Sequence, residues 1–157
     1  MKLRRSRRNR NPKGNAISEF GPAMWILIIC IFLPMINLLS LAVSYGLCMV
    51  LNHNQVHEAA LVRSVEAQQG NGSVKKRIPD FWLAGMGKLV KVQGYPRTTI
   101  NYRNAGSTDK FVIVQTTVVC SPLLTIPIPV VNIPGINGPM SFTISSERPM
   151  ENPDYAP

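Results

Sequence analysis

Few residues in this chain are of types that do chemistry, and their spacing limits what that chemistry can be. His53 and His57, the only two histidines, are four apart with Glu58 adjacent, a spacing that puts two rings on one helix face within reach of a metal. Two ligands alone make a weak site, and a solvated helix face just outside the membrane is the better account of them. Cys30, Cys48 and Cys120 have no supporting pattern for nucleophilic catalysis. Among the eight acids, Glu147 and Glu151 lie in a proline-flanked tail, while Glu58 and Glu66 are eight apart, so no carboxylate pair is set for acid–base work. No glycine-rich phosphate loop is present. The expectation is a protein that is not an enzyme, with no catalytic residue, metal site or cofactor. One acid remains to be explained, Glu19, because it stands at the threshold of a long uncharged run.

That run, Gly21 to Leu51, holds 31 residues without Asp, Glu, Lys, Arg or His. It is too long for a buried core helix. A helix rises about 1.5 Å per residue, so roughly 20 residues cross a hydrocarbon layer of about 30 Å and the run can project beyond it. The reading is a transmembrane helix, interrupted by Pro34, Asn37 and Ser40, with a kink expected near Pro34. Seven of the chain's 17 basic residues, Lys2, Arg4, Arg5, Arg7, Arg8, Arg10 and Lys13, precede it with no acid among them. By the positive-inside bias this leaves the N-terminus cytoplasmic and everything past about Asn52 outside. The same charges give the pI near 10.0, but an excess confined to one end does not make a basic face, so no nucleic-acid partner is expected. Ala42-Val43-Ser44 has the small residues of a signal-peptidase site, yet secretory apolar cores run about 7 to 15 residues, far shorter than this one.

Gly14 is followed by four residues and then by Glu19 and Phe20, between the basic stretch and the apolar run. This arrangement resembles the processing site of type IV prepilins and pseudopilins. The resemblance implies cleavage after Gly14 by a membrane-embedded prepilin peptidase, methylation of the new terminus at Asn15, and Glu19 as fifth residue of a mature chain of 143 residues. Glycine suits such a cut because it lets an extended backbone come close to the protease's catalytic groups. A carboxylate alone in hydrocarbon costs several kcal/mol or neutralises itself, so Glu19 needs a partner. In the family that partner is the freed α-amino group of a neighbouring subunit, and the pair sets the stagger of the bundle. The plain alternative places Glu19 at the headgroup level and Gly14 in a loop.

"NAISEF" departs from the phenylalanine-first opening of major pilins and type II secretion pseudopilins. It looks more like the tight-adherence (Flp) system, and especially its TadE-like pseudopilins, through Leu51, Asn52, Gln55, Glu58, Ala59 and Ala60 and through "SSERPMENP", Ser145 to Pro153. Gly21-Pro22 departs from the aliphatic residues of relatives. The resemblance implies other pilins or pseudopilins, an inner-membrane assembly platform and membrane lipid as partners. It also implies a single-pass protein of the bacterial inner membrane with a periplasmic or extracellular C-terminal domain, for incorporation in or assembly of a pilus or related secretion apparatus. Two alternatives stay open: an uncleaved, signal-anchored envelope protein with an extracytoplasmic binding domain, and a type II secretion pseudopilin.

The elements expected to carry these residues form an α+β chain, one long N-terminal transmembrane helix extending out of the membrane and then a small antiparallel β domain. The divisions are residues 1–14 as leader, 15–51 as transmembrane helix, 52–70 as its extracytoplasmic continuation, and 71–157 as the exported β-rich domain. The continuation should stop at Gly70-Asn71-Gly72-Ser73. Lys75-Lys76-Arg77 reads as a solvated loop, and Phe81 and Trp82 as core. Strands are expected at Lys88–Gly94, Thr98–Arg103, Lys110–Cys120 and Met140–Ser146. Five prolines between Pro122 and Pro139 rule out a central strand there; the apolar residues among them cover the sheet's core or face a partner. Cys30 and Cys48 fall in the membrane run with Cys120 by itself outside it, so no disulfide framework follows, although a bridge between subunits stays open.

Overall fold

A computed structural model describes residues 15–104, 109–124 and 132–157. The chain divides into two compact units, residues 1–35 and 36–157. In the first, helix α1 (Asn15–Leu27) carries Pro22 in its interior and leads to a π-helical turn, Ile28–Phe32, after which α2 (Leu33–Leu61) begins. The wide turn lies directly before Pro34, where the expected disturbance falls. Proline has no N–H for the carbonyl four residues back and its ring crowds it, and a π-helical turn relieves that conflict. Every side chain from Phe20 to Phe32 is exposed. The helical stretch Phe20–Leu61, 42 residues, is long and apolar enough to cross a membrane.

In the second unit α2 has two faces. Asn37, Leu41, Ser44, Cys48, Leu51, Asn52, Gln55, Val56, Ala59 and Ala60 are buried, recurring every three to four residues as one stripe of a 3.6-residue helix. Leu38, Leu39, Val43, Met49 and Val50 are exposed. The buried stripe faces a three-stranded antiparallel sheet in the order β1 (Arg97–Asn104), β2 (Lys110–Cys120), β3 (Met140–Pro149). The register is fixed by pairs such as Ile100 with Val114 and Val118 with Phe142. On β2, Val112, Val114, Thr116, Val118 and Cys120 are buried at period two and point to the helix, while Ile113, Thr117 and Val119 stand half-buried on the opposite face. That face also carries polar pairs: Thr117 and Thr143 hydroxyls lie 3.0 Å apart, and Arg103 pairs with Glu147. Two clusters make the core. Leu41, Cys48 and Leu51 meet Trp82, Val118, Cys120, Phe142 and Ile144, while Val56, Ala59 and Ala60 meet Val74, Ile100, Val112, Val114 and Met150.

A long N-terminal helix followed by a small antiparallel sheet is the α+β class the sequence suggests, and three of the four expected strands are found. Lys88–Gly94 is not a strand. Met86–Leu89 is a 3₁₀ turn, and Val92 makes only an isolated bridge to Cys120. Gly94 takes φ +76°, a left-handed conformation that ends extension, and Pro96 follows without an N–H to donate. The helix also does not run on to Gln69. It stops at Leu61, Arg63 is extended, and α3 (Ser64–Gln68) restarts. The carbonyl of Ala60, which an unbroken helix would give to Ser64, instead accepts from Glu151 N at 3.1 Å.

Residues expected to open a β domain are helical. Ser73–Arg77, read as a loop at its basic end, is a second π-helical turn that runs into α4 (Ile78–Ala84). Pro79 is the second residue of α4, directly after this wide turn, which accommodates a residue with no N–H to give to the preceding helical turn.

Candidate functional site

The residues singled out for processing and assembly belong to the first unit. Gly14 lies outside the described residues. Asn15 is the first residue of α1 and Glu19 is in its second turn. Phe20, 65% exposed, opens a run in which Trp25, Ile26, Ile29, Ile31 and Phe32 are also exposed. Between Glu19 and Leu51 no side chain carries a charge. A helix apolar on all sides is stable only where something other than water surrounds it, either lipid or neighbouring helices. Glu19 is the one acid between residue 1 and the end of the uncharged run at Leu51.

The residues that carry the TadE-like resemblance lie in the second unit, on the seam between α2 and the sheet. Asn52 Nδ2 donates to Val114 O at 2.9 Å, Thr116 Oγ1 at 3.1 Å and Ile144 O at 3.2 Å. Gln55 Nε2 donates to Val74 O and Thr98 Oγ1, both at 2.8 Å, while its Oε1 accepts from Thr116 Oγ1 at 2.6 Å. Both carboxamides are wholly buried; these bonds replace the hydration lost by both amide NH2 groups and by Gln55 Oε1, leave Asn52 Oδ1 without a partner, and fix helix to sheet in one register. Ala59 and Ala60, also wholly buried, offer only a methyl and let backbones approach. Glu58 is half-buried. Glu58 apart, these residues thus form an interface inside the chain, between helix and sheet.

A third carboxamide, Asn37, binds the proline-rich connection. Its Nδ2 donates to Leu124 O at 2.7 Å and Ile136 O at 3.0 Å, and its Oδ1 accepts from Leu124 N at 2.9 Å. Gly135 has φ +86°, and a Cβ there would stand 2.5 Å from Leu41 Cδ1, so only glycine allows this turn to close on α2. The described ends of the connection are therefore anchored on the helix, with Leu123, Leu124 and Ile133 partly exposed. Residues 125–131, with Pro127 and Pro129, lie outside the described residues.

His53 and His57 are exposed on the outer side of α2. Among the described residues no three His, Cys, Asp or Glu side chains come together in a way that would hold a metal. His57 and Glu58 instead line a cleft of about 600 Å³ with Leu61, Arg77, Phe81 and Trp82. The aromatic pair expected in the core splits. Trp82 is buried with Nε1 donating to Leu47 O at 3.1 Å, whereas Phe81 is 84% exposed. The cysteines also depart from expectation: Cys30 is exposed, but Cys48 and Cys120 are both buried in the same cluster. Sequence spacing held no signal for that meeting, since it depends on helix–sheet packing.

No family model matches this chain, and neither curated proteins nor solved structures give a match.

Proposed function

We propose that the chain is a non-catalytic pseudopilin, trimmed after Gly14 by a prepilin peptidase and held in the bacterial inner membrane by its N-terminal helix. Its role is assembly of a tight-adherence-type pilus or a related secretion apparatus. The observation that carries this reading is an uncharged stretch of helix, exposed on every side from Phe20 to Phe32, that directly follows the one acid in the region. A helix of that kind calls for lipid and for like helices around it, and Glu19 calls for an amine. Removal of residues 1–14 supplies that amine at Asn15. It also lowers the basic count from 17 to 10 against eight acids, so the mature chain is nearly neutral.

The test is the intact mass of the mature chain made in cells that hold the peptidase. Loss of the first fourteen residues, abolished by Gly14→Ala, is the expected result. A full-length chain in those cells would overturn the proposal. A second reading, an uncleaved signal-anchored protein whose outer domain binds a ligand, draws on the cleft between α2 and α4, where Phe81 is exposed beside Arg77 and His57. That full-length mass is the result it requires.

A further inference from the structure

Cys48 and Cys120 come from distant parts of the sequence and meet inside the core. Both are 0% exposed and belong to the same core cluster, with their thiols as neighbours. Each is held by structure on both sides. Cys120 pairs with Met140 at the end of the β2–β3 ladder and bridges to Val92 on its other side. Two bonds flank that bridge, Gln93 N to Val119 O and Ser121 N to Lys91 O, each 2.8 Å. Cys48 lies in the interior of α2, beside Leu47, whose carbonyl accepts from Trp82 Nε1. Neither residue can move away from the other without breaking ordered backbone. Leu41, Leu51, Trp82 and Val118 wall the pair off from solvent.

We propose that Cys48 and Cys120 are joined by an intramolecular disulfide in the exported protein, tying α2 to the end of β2. The inference rests on the reading that the sheet lies outside the cytoplasm, where such bonds persist, and that the part of α2 buried from Asn37 onward, Cys48 included, lies there with it rather than in the membrane run. The oxidant is a protein or small-molecule disulfide acting by thiol–disulfide exchange. A thiolate of the pair attacks one sulfur of that disulfide, releasing one thiolate and leaving a mixed disulfide. The second thiolate of the pair then attacks the protein's sulfur in the mixed disulfide and releases the other thiolate. One S–S bond breaks and one forms. The pair loses two protons and two electrons, and the oxidant becomes two thiols. Because the folded core excludes an oxidant, exchange belongs to the period before α2 docks on the sheet, and docking then seals the bond from reductants.

The test uses the full chain, taken from membranes of cells that oxidise a secreted control, acid-quenched, denatured and treated with N-ethylmaleimide without reductant. Expected is a protein in which Cys30 alone is modified and the peptides of Cys48 and Cys120 are recovered as one linked species, separated by reduction. Modification of both Cys48 and Cys120 would overturn the proposal. So would failure of the reduced, purified chain to form that link on refolding with oxidised glutathione. Single Cys48→Ala and Cys120→Ala variants serve as controls, each leaving one modifiable partner even if misfolded. The same spectrum reads the leader separately: a retained leader with the link present defeats only the processing, and a lost leader with free thiols defeats only the disulfide.

Discussion

Glu19 and Asn15 illustrate how a single ionisable group takes its meaning from what surrounds it. At the head of an uncharged helix a carboxylate is tolerable only with a counter-charge, and the proposed one is the α-amino group released at Asn15. Glu19→Gln should leave trimming after Gly14 intact but lower incorporation into the assembly about tenfold, equivalent to about 1.4 kcal/mol. The measurement is the ratio of assembled to membrane-resident mature chain, and an unchanged ratio would remove the ion pair from the account. Tyr95 offers a second residue-scale case. Burial, and then its hydrogen bond to Asp80 at 2.9 Å, push its phenol up to about 12. The fold thus favours the protonated phenol, so the contribution is complete below the unfolded value of about 10 and is lost as pH rises toward 12. The difference in denaturant midpoint between the native chain and Tyr95→Phe should therefore be constant at neutral pH and shrink between pH 10 and 12.

Among the elements, α2 is held by carboxamides as much as by apolar packing. Gln55→Leu strips Thr98, Thr116 and Val74 of their shared partner, and Asn52→Leu does the same for Val114, Thr116 and Ile144. Each substitution should cost about 1–3 kcal/mol in urea unfolding. Because both side chains meet at Thr116, the double variant should cost less than the sum of the two. β2 was legible to the residue, since its density of β-branched residues and the turn-forming residues on either side, "NAGSTD" and Ser121-Pro122, mark it in the sequence. The helices between Ser73 and Leu89 were not, because Gly72, Pro79, Gly85 and Gly87 read as strand and turn punctuation when they in fact delimit short helical turns. Nor could local sequence show the break after Leu61, which depends on Glu151 reaching Ala60 from the far end of the chain.

For the whole molecule, the long apolar helix and the antiparallel sheet were both readable from residue pattern, yet where the helix becomes part of a folded core was not. The uncharged run ends at Leu51, whereas burial against the sheet begins at Asn37, because what α2 buries there includes Asn37, Ser44 and Cys48, types that leave no strong apolar stripe. A chain beginning at Ile36 should keep the sheet and unfold in one cooperative transition by circular dichroism in mild detergent, since residues 36–157 form a compact unit. Loss of the β signal in that chain would show that the first unit is needed for folding.

The stretch of α2 from Asn37 to Ala60 is fastened at both ends, by the connection after β2 at one and by Glu151 at the other, with the carboxamide seam between them. A pull along the axis of this stretch therefore loads all of these attachments in parallel, as shear, over about 35 Å of contact. Such a joint yields only when many bonds fail together, so this stretch should resist axial tension better than the same attachments broken one by one.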